Sequence, residues 1–401
     1  VIATVGPGWA RATLGELTRT TRPICYGVLK PGPNVAGGIP LVRVTDISEN
    51  RFCDKHLICI SHRLDEEFRR SRLRGGEILV SIQGTVGRVA ICPPEYAGAN
   101  ISRTIAVIEP DDRADRRYSY WYLRHLGEAG AFKTVGSTRA SLNIAALRNV
   151  EIPLPPLPVQ RRIVAILDQA DALREKRRLT IAQLDALSWS VFFDMFGDPG
   201  TNEKKWDEST LGKLCMVKGG KRLPKGEDYS PIPTPFRYVR VTDLQEGWVD
   251  EAALLYLRPE IQSRISRYIV NTGDIIVSIA GSIGLVAPVP PSVDGANLTE
   301  NAAKLVPKTR GAYDPIFLSV LLQTAFLQSQ IRSHVGQVTI GKLALFRIEK
   351  LRVFLPPVDL QKEFAKRSAV IQSALSVHRN SLANLDTLFA SLEHRVFQGE
   401  L

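Results

Sequence analysis

LPPLPVQRRIVAILDQ (residues 154–169) turns a proline-rich corner straight into a long apolar-periodic stretch, and LPPVDLQKEFAKRSAV (residues 355–370) makes the same turn 201 residues later. Proline sits badly inside a helix, so the Pro158 corner is expected to set a helix start. After it, Ile163, Ala170, Arg177, Leu184 and Val191 fall seven apart, with Ile166, Leu173, Thr180 and Leu187 between them. The second copy shows Phe364, Ile371, His378, Leu385 and Leu392, with Leu388 beside them. This is the period of a coiled-coil seam. A helix over 159–193 would be about 52 Å long and cannot bury a seam alone. The expected partner is the other copy's helix, paired antiparallel, with Arg177 and His378 meeting at mid-row to set register.

The duplication extends outward from the corners. At an offset of 197, Trp9 matches Trp206, Leu14-Gly15 matches Leu211-Gly212, and VRVTDI (42–47) matches VRVTDL (239–244). LVSIQGTVG (79–87) lies over IVSIAGSIG (276–284), and GANI (98–101) over GANL (295–298). Each copy reads as β-branched runs punctuated by glycine turns. A helix follows, near 118–132 or 313–333, and then a short strand before the prolines. The fold class is therefore α+β, as a pseudo-two-fold internal repeat. Two similar mixed domains, 1–158 and 197–357, are separated by two long helices, 159–196 and 358–401, packed as an antiparallel coiled coil.

A chain of 401 residues accommodates two cores. At 44% hydrophobic and 23% charged residues it has a globular composition. The longest uncharged run, Ile275 to Val293, holds two glycines and three prolines, so a membrane span is not expected. No secretory leader pattern opens the chain, and a cytoplasmic location is expected. Five cysteines at irregular spacing suggest no disulfide framework. Cys53, His56, Cys59 and His62 recur every third residue and are all of zinc-ligating type. The second copy has Asp250, Ala253, Tyr256 and Pro259 there, so no metal site is expected. The net charge of +11 is concentrated in the two blocks: 21 basic against 15 acidic residues in the first, 20 against 16 in the second. A modest positive field on each block suits a polyanion such as duplex DNA.

There is no GxxxxGK[ST] loop, no GxGxxG after a strand, no HExxH and no acidic-aromatic methyltransferase tetrapeptide, so no catalytic residue is assigned. Base reading draws on Arg, Asn and Gln, and phosphate contact on Lys, Arg, Ser and Thr. In the first block the DNA-binding candidates are Arg43, Ser81, Gln83, Thr85, Arg88, Asn100, Ser102, Arg103, Thr138 and Arg139. In the second they are Arg240, Ser278, Ser282, Asn297, Thr299, Asn301, Gln337, Thr339 and Lys342. Gln83 against Ala280, and Arg88 against Leu285, are where the copies could read different bases. Ser81 and Ser278 are expected to do common structural or phosphate work.

The alternation of block, Leu-Pro-Pro-x-x-x-Gln corner (Gln160, Gln361) and long helix, with the LVSIQGTVG and IVSIAGSIG motifs, resembles the specificity subunit of type I restriction-modification enzymes. Members commonly carry Glu before that Gln, where this chain has Val159 and Leu360. The resemblance implies a non-catalytic subunit that binds an asymmetric bipartite target in double-stranded DNA, one half-site per domain, with the spacing set by the helix pair. It also implies two modification (methyltransferase) subunits as partners, with ATP-dependent restriction subunits where a system has them. This chain would bind no cofactor, and S-adenosylmethionine, ATP and Mg would sit on the partners. Membrane binding by the helix pair is disfavoured because Asp168, Asp171 and Glu175 offset its basic run. The competing readings are the recognition part of a single-chain restriction or methyltransferase enzyme, and a duplicated protein-binding scaffold.

Overall fold

The computed structural model describes residues 9–48, 50–53, 57–132, 141–245, 247–335 and 341–400. It divides into two compact units, one formed by 1–178 with 380–401, the other by 179–379. Each unit thus combines one repeated block with parts of both long helices, which regroups the four-part layout expected from sequence.

In the first unit a four-stranded antiparallel sheet has the order Cys25–Tyr26, Ile105–Ile108, Ile78–Ser81, Val89–Ile91. Its two central strands are buried at every position, because both faces are covered. Successive side chains point to opposite faces. Ile78, Val80 and Ile108 enter a core with Tyr118 and Trp121 of the helix Arg116–Glu128. Leu79 and Val107 enter a second core with Val42 and Ile101 of a small three-stranded sheet. A further pair, Ala10–Thr13 with Glu151–Leu154, closes the block just before the proline corner.

The second unit repeats this plan. Cys215–Gly219, Ala302–Pro307, Ile275–Ser278 and Val286–Pro288 form the large sheet, and Asp207–Thr210 pairs with Arg352–Leu355. One difference is local. Where the first unit has a single helix, the second has Pro315–Gln323 and Ala325–His334. Thr324 is extended (φ −61°, ψ 151°) and its side chain caps the second helix, which divides the stretch expected as one helix over 313–333.

The long helices are Leu157–Phe196 and Val358–Phe397, 40 residues each, or about 60 Å. The first begins two residues earlier than expected, with Pro158 inside its first turn. There a missing N–H leaves no helical bond unmade. It also continues three residues past Phe193. Within the first unit, Arg174 pairs with Asp386 (2.6 Å) and stacks on Phe389. Within the second, Asp185 pairs with Arg379 (3.4 Å) and, further along, Phe192 meets Phe364. In that unit the partner number falls as the first helix advances, so the helices run antiparallel. Arg177 belongs to the first unit and His378 to the second.

The seam needs one correction. The row at Ile163, Ala170, Arg177, Leu184 and Val191 faces inward or is half-buried, as are Phe364, Ile371, His378, Leu385 and Leu392. The accompanying row is displaced by one residue. Ile166 and Thr180 are half-buried, but Leu173 (49%), Leu187 (48%) and Leu388 (62%) are exposed. Their places are taken by Leu167, Arg174, Ile181 and Ser188 on one helix and by Leu375, Leu382, Phe389 and Val396 on the other. Positions i+3 and i+4 flank the same stripe. Both steps carry apolar residues here, so periodicity alone could not choose between them.

Candidate nucleic-acid interface

The glycine motif makes the hairpin that follows the central strand. Ser81 is fully buried, and its hydroxyl donates to the Thr85 carbonyl (2.5 Å) while accepting from the Arg88 N–H (2.8 Å). Ser278 makes the same two bonds, to the Ser282 carbonyl (2.5 Å) and from the Leu285 N–H (2.8 Å). Gly84 and Gly281 hold φ of +80° and +75°, a conformation that favours glycine. The serine therefore staples the loop from inside, and the loop tip faces out.

Two other segments are sewn to that loop. In the first unit Ile82 N–H donates to the Thr104 carbonyl (2.8 Å), and Leu142 N–H donates to the Ile82 carbonyl (2.8 Å). In the second, Ile279 N–H donates to Asn301 (2.8 Å) and Leu343 N–H to Ile279 (2.9 Å). The same three-segment cluster thus recurs: 82–86 with 102–104 and 141–142, and 279–283 with 299–301 and 342–343.

This cluster gathers several of the candidates. Gln83, Thr85, Ser102 and Arg103 lie on its segments in the first unit, and Ser282, Thr299, Asn301 and Lys342 on those of the second. Thr85, Arg103, Ser282 and Lys342 are exposed, and among the described residues the Arg103 and Lys342 side chains have no partner. Ser102 bonds Thr104 (2.6 Å).

Other candidates are braces. Arg88 lies by the cluster, with its Nη1 donating to the Ile47 carbonyl (2.9 Å), whereas Leu285 packs on a core. Arg43 and Arg240 each precede a short 3-10 turn and bond a buried aspartate, Asp46 or Asp243. For Arg240 the grip is tight: Nε and Nη2 reach Asp243 at 3.1 and 2.6 Å, and Nη2 also reaches the Ala253 carbonyl. Asn100 is wholly buried and bonds Ser71 (2.7 Å), Asp65 (2.9 Å) and the Phe68 carbonyl. Asn297, equally buried, donates to the Ile265 carbonyl (2.8 Å). Ser81, Ser278, Asn100 and Asn297 therefore hold their loops from within. Thr138, Arg139, Gln337 and Thr339 lie outside the described residues.

The glutamines of the corner motif explain its recurrence. Gln160 accepts the Asp115 N–H (2.7 Å) and donates to the Arg113 and Pro155 carbonyls. Gln361 accepts the Asp314 N–H (2.8 Å) and donates to Pro356. Asp115 and Asp314 are the N-caps of the block helices. Each buried glutamine thus fastens a block to its long helix.

Beside the second cluster lies a cleft of about 550 Å³ lined by Arg222, Lys225, Tyr229, Arg240, Glu300 and Asn301, among others. Arg222 and Glu300, 78 residues apart, pair at 2.6 Å. No sequence spacing announces them, and sequence reasoning missed both. Burial alone would push the Glu300 carboxyl up, but hydrogen bonds from Arg222 and Thr299 and the Arg222 charge hold it below the usual carboxylate range. Burial pushes the Tyr238 hydroxyl up to about 12.

His56 lies outside the described residues, and among those described no cluster of His, Cys, Asp and Glu could hold a metal. Burial pushes the Cys92 and Cys215 thiols up to about 12, which keeps them protonated at neutral pH. Among the described residues no helix is long and apolar enough to cross a membrane.

Two internally duplicated units, each with a stapled loop cluster and a glutamine-locked long helix, define a repeated recognition module. Residues 30–183 and 203–384 match the type I restriction modification DNA specificity domain, and the chain belongs to that family. Over 195 residues it is 31% identical to the EcoBI type I restriction enzyme specificity subunit of Escherichia coli, a match spanning 47% of this chain and 41% of that one. Over 316 residues it is 24% identical to the type I restriction enzyme MjaIX specificity subunit of Methanocaldococcus jannaschii, spanning 72% and 69%. The fold resembles the type I restriction-modification system S subunit from M. genitalium over 99% of both chains, with a TM-score of 0.59 at 16% identity.

Proposed function

We propose that the chain is the DNA-reading subunit of a type I restriction-modification enzyme. Each unit reads one half of an asymmetric bipartite site, and the long helices set the spacing between halves. The observation that carries this reading is the loop cluster, built on one scaffold in both units yet presenting different groups. Gln83 stands against Ala280, Arg103 against Glu300, and Ser141 against Lys342. Two equal halves would need no such divergence.

The chain itself neither methylates nor cuts. Two modification subunits dock on it in the cytoplasm and supply S-adenosylmethionine chemistry on adenine. ATP- and Mg-dependent restriction subunits join where the system has them. The test is selection from a randomised duplex pool by the full chain with its co-purifying subunits, read at several salt concentrations. The expected result is a two-part asymmetric motif whose affinity falls steeply with salt. A protein-binding scaffold would enrich no sequence and show no such slope, and that outcome would overturn the reading.

A further inference from the structure

Among the cationic side chains lining the second unit's cleft, the state of Arg222 is distinctive. Its side chain is 78% exposed, and its one partner is Glu300, reached through Nε at 2.6 Å. Both Nη groups are without a partner among the described residues. Glu300 is in turn fixed on its other oxygen by the Thr299 hydroxyl (3.1 Å) and is itself only one-quarter exposed. The guanidinium is thus held by one edge while the opposite edge is offered outward. Arg240, in the same cleft, is the counter-example, because Nε and Nη2 are already committed to Asp243 and the Ala253 carbonyl.

The Nη pair of a planar guanidinium matches the O6 and N7 acceptors that guanine presents in the major groove. A phosphate contact would gain nothing from a neighbouring carboxylate, which repels the phosphate. A base contact does gain, because the carboxylate removes side-chain freedom before binding and leaves the reading edge clear. We propose that Arg222, buttressed by Glu300, reads a guanine in the half-site of the second unit.

This inference rests on the reading that each unit binds duplex DNA. It also gives that reading an asymmetry. The Val28 and Lys221 N–H groups bond equivalent carbonyls, Ile101 and Leu298, so Leu29 occupies the place of Arg222. Arg103 occupies that of Glu300. The first unit therefore has no buttressed pair, and its half-site is read by other groups.

The test uses the full chain with its co-purifying subunits as wild type, R222A, R222K and E300Q, each checked for a cooperative melting transition well above the assay temperature. Each is put through duplex selection and then bound to duplexes substituted at single positions. The wild type is expected to require guanine at one position of one half-site. R222A should erase that preference, with a loss of roughly 5- to 150-fold on the guanine duplex and none on duplexes already lacking it. R222K keeps the charge without the fork and should lose the preference as well, whereas E300Q should weaken it partially at the same position. A uniform loss with R222A across all sequences, with the salt slope reduced by about one, would identify a phosphate contact and overturn the proposal. A wild-type motif that R222A leaves unaltered would overturn it while leaving the DNA-reading function intact. Enrichment of no motif by the wild type would overturn both.

Discussion

The two units agree where side chains face inward and part where they face out. Ser81 and Ser278 make identical bonds, Gln160 and Gln361 fasten equivalent caps, and Asp46 and Asp243 grip equivalent arginines. At the loop cluster the copies diverge from neutral to charged and from basic to acidic. After a duplication, the scaffold is held by the cost of unpaired buried groups, while exposed tips are free to change what they recognise. The cores are not identical: buried Lys304, paired with Asp274 at 3.5 Å, stands where the first unit has Val107, and a second departure lies at the long helices. Thirty-two residues beyond the corner glutamines, Phe192 stacks on Phe317 and meets Phe196 at a tilt and Phe364 edge-on in the second unit, whereas Glu393 occupies the equivalent place in the first. Glu393 is buried, with one oxygen 4.0 Å from His125 Nδ1 and the other unpartnered.

That contrast can be broken most sharply at the aromatic cluster. Phe192→Ala should destabilise the second unit by about 3–5 kcal/mol, seen as an early transition in calorimetry with the first unit's protection from hydrogen exchange retained. Equal loss of protection in both units would show that they do not melt separately. Gln160→Ala strands the half-buried Asp115 N–H and should cost about 1–3 kcal/mol, localised by exchange to the start of the helix Arg116–Glu128. The unit-two counterpart, Gln361→Ala, should act at the helix Pro315–Gln323.

A gain is expected where the core departs from the repeat. Glu393→Met removes an unsatisfied buried oxygen without a large volume change and should stabilise the first unit by about 1 kcal/mol, measured by urea unfolding. The smallest effect is acid-dependent. Because its folded state holds the Glu300 carboxyl low, its contribution is complete above the ordinary carboxylate range and is lost as pH falls through the lower folded value. E300Q should flatten that part of the acid unfolding profile, and an unchanged profile would count against the Arg222 buttress.

Much of this architecture was legible in the sequence, because a repeat exposes its own boundaries and the corner motif carries a helix start. One row of each helix seam was readable, while the second slipped by a residue where apolar side chains occupy both i+3 and i+4. The interface was harder to read. Asn100 and Ser81 are of the types that contact DNA, yet their hydrogen bonds are spent on Asp65, Ser71 and a hairpin turn, which depends on tertiary packing. Conversely, Arg222 drew no notice until folding placed it beside Glu300.

The central claim is that each unit reads its own half-site through the exposed tips of a common loop cluster. Duplex selection with Arg103→Ala, set beside the wild type, tests it most directly. Altered or weakened preference confined to one half of the bipartite motif is the expected result. An equal change in both halves, or an unchanged motif and affinity, would contradict the claim.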